Sequence, residues 1–557
     1  MKNKKLPIGL SDFKDLREEN FHYIDKTDFI REIINSSSKI LLFPRPRRFG
    51  KTLNLSMLRY FFEKNHEDQA GLFKNLSIQT DKIFREYQGK YPVIYLTFKD
   101  VKHSKWAGCF TGIKAVIQGE YSRHRYLFET DALYPEDKDY FQKILWSKLE
   151  ETECEQAVQK LSQYLHRFYN EKVVILIDEY DTPIHAAYNK GYYEQLMEFM
   201  RNFLSGAFKD NHYLFKGVLT GILRVAKESV FSGLNNLSVY TLLDKEFNTF
   251  FGFTEIEVID LLKDNDMSDR YKEAASWYNG YVFGGEIIYN PWSILQFTHR
   301  NPKFPSPYWV NTADSSLIDK LATRSGREVR EEIGQLLEGK IITKPVYDSI
   351  VMKELDIRDD LLWSFLVFSG YLKIVEEKGW KNNYDLAMPN KEVRLIYEQM
   401  IETWFAEKLE SSRIETMLNA LVKGNIEDFE YLLADIVEKV LSFHDTGGTE
   451  PEQFYHAFVL GLLVWLEGQY EVKSNRESGL GRYDVLLIPK DRKEKGIILE
   501  FKKVNERKKE SPEKALERAM KQIEEKKYAA ELEAAGIKDI MKIAIAFKGK
   551  ELWVKLC

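Results

Sequence analysis

Apolar runs of strand length alternate with longer stretches of helical spacing in the first half of the chain. The runs lie at Ser38–Phe43, Tyr91–Phe98, Val173–Ile177 and Phe215–Thr220. After the first run and a short basic loop, Thr52–Lys64 carries apolar residues at helical intervals. Buried strands separated by helices are typical of βαβ units around a parallel sheet. We therefore predict that the chain begins with an α/β domain.

The pattern changes twice further along the chain. From about Phe247 to Val440 helical spacing dominates, interrupted by the Pro-rich aromatic connection Asn301–Trp309. After Gly448 the pattern of strands and helices returns. Helices are predicted at Pro451–Glu467 and Pro512–Leu532, and strands near Tyr470–Ser474, Tyr483–Ile488, Gly496–Phe501 and Lys542–Phe547. The chain is thus predicted to be a multidomain α/β protein with a helical middle.

Composition excludes several classes of protein. Of 557 residues, 44% are hydrophobic and 14% aromatic, which excludes global disorder. The net charge of −5 gives no chain-wide basic signature for nucleic acid. The apolar run at Phe458–Leu466 is only about half of the ~18 residues that a membrane span needs. Three scattered cysteines and an N-terminus without a signal-like apolar stretch lead us to expect a cytoplasmic protein without membrane contact.

A loop between the first predicted strand and the helix after it has the form of a phosphate-binding loop. The loop Arg45–Thr52 (RPRRFGKT) matches the Walker A pattern, except that Arg45 occupies the position of the first glycine. Arg45 makes the turn less permissive, because non-glycine residues rarely adopt positive φ. A basic loop with an accidental GKT is the alternative, but its placement argues against chance. We predict ATP contacts from Arg47, Arg48, Phe49, Gly50, Lys51 and Thr52.

A second motif fits the first. The apolar strand at Val173–Ile177 ends in Asp178 and Glu179, which is the Walker B form. Asp178, together with the hydroxyl of Thr52, is expected to hold Mg²⁺, and Glu179 to polarise the attacking water. Acids also end buried strands simply because the chain is surfacing, although the loop upstream makes that explanation less favoured.

The strand at Phe215–Thr220 adds two further candidates. Thr220 ends the strand and Arg224 follows it, so Thr220 is a candidate sensor of the γ-phosphate and Arg224 a candidate contact to it, within one chain or across a subunit boundary. An arginine of this kind would suit a homo-oligomer such as a ring or dimer. An ordinary strand end with a solvated arginine explains the pattern equally well.

The C-terminal module carries a pair of carboxylates with a lysine. Asp484 begins one predicted strand, and Glu500 and Lys502 lie near the end of the next. Two positions apart on a strand, Glu500 and Lys502 face the same side. Two converging acids with a lysine can bind Mg²⁺, or Mn²⁺, and activate water against a phosphodiester, which is the PD-(D/E)XK constellation. A plain hairpin with acidic ends is the alternative.

Features around this pair support the interpretation. Glu477, in the loop before Gly481, is a candidate third acid, and Gln522 lies on the following predicted helix at a spacing that faces the site. Residues 490–527 contain 14 Lys and Arg against 9 Asp and Glu. Phosphate-binding surfaces have this balance, but so do many solvated helices.

These motifs together resemble a bacterial family of AAA-ATPase-like proteins with a C-terminal PD-(D/E)XK nuclease domain. The resemblance also includes Tyr23–Thr27 (YIDKT), Ile177–Asp181 (IDEYD) and the aromatic motif Trp277–Tyr281 with Tyr289–Ser293. Arg45 is similar to family usage at its position. The resemblance is specific because a loose P-loop match would not produce the aromatic motif.

The resemblance implies a domain plan as well as a chemistry. It implies an ASCE-type P-loop core over residues 1–245, a helical lid over 246–310, a winged-helix-like middle over 311–440 and a restriction-endonuclease-like domain over 441–557. Such fusions suggest a role in defence or mobile-element conflict. The leading hypothesis is an ATPase that controls a Mg²⁺-dependent nuclease acting on DNA or RNA.

Two rival hypotheses remain open from the sequence. In one, a signalling or scaffolding ATPase has a C-terminal module that binds nucleic acid without cutting. In the other, the P-loop binds nucleotide without turnover. Glu179 argues against the second, and the intact set Asp484, Glu500 and Lys502 argues against the first.

Overall fold

The computed structural model describes most of the chain. The described residues are 4–64, 69–224, 231, 234, 236–309, 327–337, 339–350, 352–356, 358, 360–379, 382–397, 411–440, 459, 462–463, 466, 468–474, 477–478, 481–482, 484–505, 509–526, 528–549 and 551–556. The predicted helix at Pro451–Glu467 lies almost entirely outside them. The chain divides into two compact units, the first being Met1–Leu317 with Thr343–Val393 and the second Ile318–Ile342 with Arg394–Cys557.

The first unit is built on a parallel sheet. Its strands are β1 (Ile40–Pro44), β2 (Val93–Thr97), β3 (Val173–Asp178), β4 (Leu214–Gly221) and β5 (Leu237–Val239). They are ordered β2-β3-β4-β1-β5, and every pair is parallel. β1 and β3 are buried along their whole length, as their continuous apolar runs predict. The order places β4 between the strands that carry the two phosphate-site motifs.

Helices connect the strands of this sheet and cover it. They are α1 (Phe13–Glu18), α2 (Asp28–Asn35), α3 (Lys51–Phe62), α4 (Lys82–Tyr87), α5 (Trp106–Arg123), α6 (Pro135–Leu145), α7 (Glu151–Glu155), α8 (Ala157–Tyr169), α9 (Thr182–Lys190) and α10 (Tyr193–Phe208). Short 3₁₀ helices are Ala70–Phe73, Ser77–Thr80 and Arg125–Glu129. α3 begins directly after Gly50, whose φ of +83° makes the turn from strand to helix.

The part of the first unit after β5 mixes helices with small sheets. α11 (Glu255–Asp264), α12 (Tyr271–Tyr278) and α13 (Pro291–Arg300) surround an antiparallel sheet of β6 (Phe253–Thr254), β8 (Glu286–Tyr289) and β7 (Tyr281–Phe283). The span from Phe247 is therefore less uniformly helical than its apolar spacing predicts. Strands of two to four residues are too short to show an alternating pattern, so the sequence carries no signal for them.

A second small sheet follows in the first unit. β10 (Lys373–Glu377), β11 (Asn383–Ala387) and β9 (Ile342–Pro345) are its strands. The helix that follows α14 (Arg327–Leu337, in the second unit) is α15 (Asp360–Phe368), whose residues from Leu361 to Phe368 are all buried. Gly370 has φ +88°, so the chain leaves α15 through a left-handed turn. Met352–Asp356 is a 3₁₀ helix, as is Ser268–Arg270 earlier in the chain, and residues 391–397 are helical.

The second unit is a mixed sheet with helices. β12 (Tyr470–Ser474), β15 (Val485–Pro489), β16 (Gly496–Lys503), β17 (Ile540–Lys548) and β18 (Glu551–Leu556) form it in that spatial order. Only β16 and β17 are parallel, and α18 (Pro512–Glu525) and α19 (Ala530–Ala534) lie between them in sequence. β13 (Glu477–Ser478) pairs with β14 (Gly481–Arg482). α16 (Ser411–Lys423) and α17 (Ile426–Val440) complete the unit.

Side-chain packing holds α18 against the second sheet. Ala515, Ala519 and Leu516 of α18 pack with Ala544 and Ala546 of β17. Small residues on both surfaces allow the helix to approach the parallel pair β16–β17 closely.

Within the part of the chain that the structure covers, no helix is both long and apolar enough to cross a bilayer.

We predict that Gly217 is required for packing of α10 on the parallel sheet. A Cβ atom at Gly217 would lie 2.6 Å from the buried ring of Phe208. Gly217→Ala should therefore destabilise the first unit by about 1–3 kcal/mol, the usual cost of overpacking. The measurement is the urea midpoint of the purified protein. Gly119→Ala is the matched control, because a Cβ there meets nothing within 4 Å among the described residues and Gly119 is exposed on α5. Equal midpoints for the two variants would contradict the prediction.

Candidate nucleotide and metal sites

The loop between β1 and α3 avoids the strain that Arg45 seemed to impose. Arg45 has no positive φ, and the left-handed residues of the loop are instead Arg48 at +66° and Gly50 at +83°. The expectation that Arg45 strains the backbone of this turn is therefore wrong. A Cβ atom at Gly50 would meet nothing within 4 Å among the described residues, so open space lies in front of α3. A phosphate group fits at such a helix start, where backbone N–H groups are unpaired.

Arg45 instead acts as a buried anchor. Its side chain is fully buried, and Nη1 donates to the carbonyl oxygens of Pro44 at 2.9 Å and Tyr240 at 2.7 Å. The guanidinium lies over the rings of Phe251 and Phe283 at 5.1 and 5.5 Å. Burial lowers the pKa of Arg45 to about 9, so it stays a cation at pH 7. The loop is thus tied at its start to later segments of the same unit.

Lys51 is held inside the loop. Its Nζ donates to the carbonyl oxygens of Arg45 at 3.0 Å and Pro46 at 2.9 Å. Burial lowers the pKa of Lys51, and the negative charges of Glu179, Asp181 and Asp178 oppose that shift in this order. The ammonium group is therefore close to the acids of the predicted Walker B strand. Phosphate oxygens can replace the two carbonyl oxygens that accept hydrogen bonds from this ammonium group.

Asp178 joins the two motifs directly. The hydroxyl of Thr52 donates to Asp178 Oδ2 at 2.8 Å, and the hydroxyl of Thr220 donates to Oδ1 at 2.7 Å. Thr97 Oγ1 lies 3.4 Å from Oδ2. Burial raises the pKa of Asp178, and the Thr220 hydrogen bond partly offsets the shift. The structure therefore brings together Thr52, Asp178 and Thr220, whereas the role of Thr220 as a γ-phosphate sensor stays a prediction.

Aromatic side chains hold the remaining loop residues. The indole N–H of Trp309 donates to the Arg47 carbonyl oxygen at 3.2 Å. The Arg48 guanidinium lies 4.6 Å from the ring of Trp292, and Phe49 packs edge-on against Tyr281. Sequence reasoning places Trp292 and Tyr281 in a family motif without a role. Each of these contacts joins residues more than 200 positions apart, so the local sequence carries no signal for it.

Arg224 and Asp181 both lie in the first unit, but their side chains have different partners. Arg224 forms an ion pair with the exposed Asp348. Asp181, which sequence reasoning left without a role, is fully buried and accepts the backbone N–H groups of Ile222 at 2.7 Å and Leu223 at 2.9 Å. Asp181 thereby fixes the segment between Thr220 and Arg224.

The carboxylates of the C-terminal module meet at the start of β15 and the middle of β16. Asp484 precedes β15, and its Oδ2 accepts the backbone N–H of Phe501 at 2.8 Å. Lys502 Nζ donates to Glu500 Oε1 at 2.8 Å and to the carbonyl oxygen of Phe501 at 2.9 Å. Glu500 is fully buried, and its Oε2 has no hydrogen-bond partner among the described residues. The predicted set of Asp484, Glu500 and Lys502 is thus assembled in one place.

Electrostatics mark Glu500 as the unusual member of this set. Burial, followed by the negative charge of Asp484, raises the pKa of Glu500 to about 8. A buried acid with an unpartnered oxygen is suited to a cation. Among the side chains that the structure describes, no group of three or more His, Cys, Asp or Glu is arranged to hold a metal ion. Asp484 and Glu500 offer two protein ligands, the arrangement in which Mg²⁺ keeps several waters.

The two secondary candidates are placed as follows. Gln522 on α18 donates from Nε2 to the Tyr528 hydroxyl at 3.0 Å. Burial raises the pKa of Tyr528, and the charges of Glu500 and Asp484 add to the shift, so this phenol lies near the carboxylate pair. Sequence reasoning missed Tyr528, because it follows α18 in a turn. Glu477 opens β13, and its backbone pairs with that of Arg482.

Comparison with known proteins identifies the two domains. Residues 7–231 match the family described as Predicted AAA-ATPase, and residues 450–556 match the PD-(D/E)XK nuclease superfamily. The chain therefore carries an AAA-ATPase-like domain followed at its C-terminus by a PD-(D/E)XK nuclease superfamily domain, and the resemblance noted in the sequence is confirmed. A protein of Azotobacter chroococcum mcd 1, described as an uncharacterized protein in vnfD 5'region, is 26% identical over 430 residues. That match covers 76% of this chain and 75% of the relative.

We predict that metal binding at Asp484 and Glu500 releases a proton near neutral pH. The pKa of Glu500 is raised to about 8, so below that pH the group is a neutral acid that must lose its proton before it binds a cation. Affinity for Mn²⁺ should rise as the pH increases toward about 8 and level off above it. Calorimetric titration of Mn²⁺ in buffers of different ionisation enthalpy measures the proton.

Glu500→Gln is the control for this titration, because it keeps the size of the side chain and cannot ionise. It should bind Mn²⁺ at least about tenfold more weakly and release no proton, since it lacks one carboxylate ligand and the group that loses the proton. Wild-type affinity that is independent of pH between about 6 and 8.5 would contradict the role of Glu500.

Proposed function

We propose that the N-terminal domain binds and hydrolyses ATP with Mg²⁺. The observation that carries this proposal is the hydrogen bond of 2.8 Å between the Thr52 hydroxyl and the Asp178 carboxylate. It brings the end of the loop and the end of β3 to one point, as a P-loop site requires. The strand order β2-β3-β4-β1-β5 supports the ASCE assignment, because one strand separates β1 from β3.

Each residue of this site has a role in the proposal. Thr52 and Asp178 would hold Mg²⁺, which supplies charge neutralisation between the phosphates when bound. Lys51 would exchange its carbonyl partners in the loop for phosphate oxygens. Glu179 would orient a water molecule and accept its proton. Thr220, which donates to Asp178 at 2.7 Å, would report on the terminal phosphate.

We further propose that the C-terminal domain cleaves nucleic acid in a Mg²⁺-dependent reaction. Asp484 and Glu500 would hold the metal, which lowers the pKa of a bound water. The ammonium of Lys502, 2.8 Å from Glu500 Oε1, would stabilise charge that develops on the phosphate. The unpartnered Oε2 of buried Glu500 supports this role over that of a non-cutting relic, since an orphaned buried oxygen is costly without a ligand.

ATP would control the nuclease through the segment that holds the P-loop. Trp309 donates its indole N–H to the Arg47 carbonyl oxygen and its backbone N–H to the Glu392 carboxylate at 2.7 Å. Ser293 also donates to Glu392, at 2.8 Å. Glu392 is next to Val393, where the chain leaves the first unit. A movement of the loop on ATP binding therefore has a route of direct contacts to this exit.

Finer features of the sequence hypothesis belong to this proposal as well. α15 followed by the β10–β11 hairpin is compatible with a winged-helix-like middle, and α11–α13 with a lid. DNA or RNA as substrate, a cytoplasmic location, a homo-oligomer contacted by Arg224 and a role in defence remain predictions. A scaffolding ATPase that binds nucleic acid without cutting is the alternative.

Two substitutions test the ATPase proposal. Lys51→Ala should lose most affinity for a fluorescent ATP analogue, because it removes the buried ammonium. Glu179→Gln should keep that affinity and lose hydrolysis by about 100-fold or more, the usual contribution of a positioned base. Phosphate release measures the second effect. Equal hydrolysis by wild type and Glu179→Gln would remove Glu179 from its role.

Three substitutions test the nuclease proposal. Asp484→Ala and Glu500→Ala should abolish cleavage with Mg²⁺ or Mn²⁺ and weaken metal binding, whereas Lys502→Ala should lower the rate by about 100-fold or more with metal binding largely kept. ATP hydrolysis should stay measurable in all three. Lys542→Ala is a matched control, because Lys542 pairs with the exposed Glu524 on the outer part of the same unit. Cleavage by Asp484→Ala at the wild-type rate would place the active site elsewhere.

A further inference from the structure

Glu179 is held in an unusual conformation. Its φ is +50°, a left-handed value that costs free energy for a residue with a side chain. Residues in sparsely populated backbone regions persist where their surroundings fix them, and they concentrate at active sites. The backbone N–H of Glu179 lies 3.4 Å from Thr220 Oγ1, and its carbonyl oxygen accepts the N–H of Thr182 at 3.1 Å. The backbone of Glu179 is thus fixed from both sides.

Among the residues that the structure describes, one hydroxyl group binds the side chain of Glu179. Thr182 Oγ1 donates to Glu179 Oε2 at 3.0 Å. Thr182 is nearly buried, 8% exposed, at the first turn of α9, so water competes weakly for this hydrogen bond. The Glu179 carboxylate is also the acid that most opposes the lowering of the Lys51 pKa. Glu179 also directly follows Asp178, which accepts a hydrogen bond from Thr52 of the P-loop, so Thr182 holds the Glu179 carboxylate next to that loop.

We propose that Thr182 is a positioning residue for ATP hydrolysis, whose hydroxyl holds the Glu179 carboxylate toward the P-loop. The inference rests on the proposed ATPase function. A glutamate side chain has several rotatable bonds, and a misplacement of about 1 Å can cost about 100-fold in rate. The neighbouring Asp181 has different partners, because its Oδ2 accepts the backbone N–H groups of Ile222 and Leu223.

The central test compares Thr182→Val with Thr182→Ser. Valine has the shape of threonine without the hydroxyl, and serine keeps the hydroxyl. We expect Thr182→Val to lower kcat for ATP hydrolysis by about tenfold or more, an intermediate loss for a displaced base. The KM for ATP and the Kd of a fluorescent ATP analogue should change by less than about twofold. Thr182→Ser should restore kcat to within about twofold of wild type.

Two controls separate positioning from folding. Thr111→Val removes an exposed hydroxyl whose hydrogen bond to the Ala107 carbonyl oxygen lies within α5, and it should leave kcat and the melting temperature of the unliganded protein unchanged. In the Glu179→Gln background, Thr182→Val should cause no further loss of kcat, because the group it positions is absent. A melting temperature of Thr182→Val equal to that of Thr111→Val shows that both variants fold.

Three results would overturn the inference while the ATPase proposal stands. They are a kcat of Thr182→Val equal to or above that of wild type, a Thr182→Ser variant as slow as Thr182→Val, or a loss of analogue affinity in Thr182→Val as large as its loss of rate. Failure of the ATPase proposal has a different signature, since wild-type protein would then release no phosphate from ATP.

Discussion

The buried carboxylate of Asp178 is the interaction on which the first unit depends. Thr97 and Asp178 are paired in register on β2 and β3, and Thr220 lies on β4 on the other side. Hydroxyl groups from both neighbouring strands and from Thr52 of α3 reach this one carboxylate. A buried acid without such partners is strongly unfavourable, so the hydroxyl groups stabilise the acid and the acid fixes their positions. The positions of the P-loop, of the strand ends and of the residue after β3 therefore depend on one another.

The C-terminal site also contains a buried carboxylate, but this carboxylate has different partners. Glu500 is as buried as Asp178, but its near partner is the ammonium of Lys502, and one of its oxygens is unpartnered among the described residues. The raised pKa of Glu500, about 8, is the consequence. Where Asp178 is satisfied by hydroxyl groups, Glu500 has one charged partner and one oxygen that a proton or a further cation can stabilise. If Glu500 binds a metal ion, as we propose, the affinity of the site for that ion should depend on pH.

Much of the architecture could be predicted from the sequence because its signals are local. β1 is a continuous apolar run, β3 and β16 each begin with one, and the helix starts of α3 and α18 have glycine and serine at their caps. The pairs Thr52–Asp178 and Glu500–Lys502 follow from strand ends and from the two-residue period of a strand. These features need no knowledge of distant contacts.

What the sequence could not predict depends on contacts far along the chain. Arg45 looks like a defect in a glycine loop, but its burial among carbonyl groups and aromatic rings of later segments makes it an anchor. Tyr528, in a turn, accepts a hydrogen bond from Gln522 and lies close enough to the carboxylate pair for those charges to raise its pKa, and Trp309 reaches the P-loop from a connection that has no regular pattern. Each contact joins segments whose proximity only the folded chain establishes.

The most direct measurement for the whole account is the initial rate of nucleic-acid cleavage by the full chain with Mg²⁺, with and without ATP. Wild type and Lys51→Ala would be assayed on single- and double-stranded DNA and RNA. We expect cleavage of at least one substrate, at a rate that ATP changes in wild type and leaves unchanged in Lys51→Ala. Absence of cleavage under every condition, or a wild-type rate that is indifferent to ATP, would contradict it.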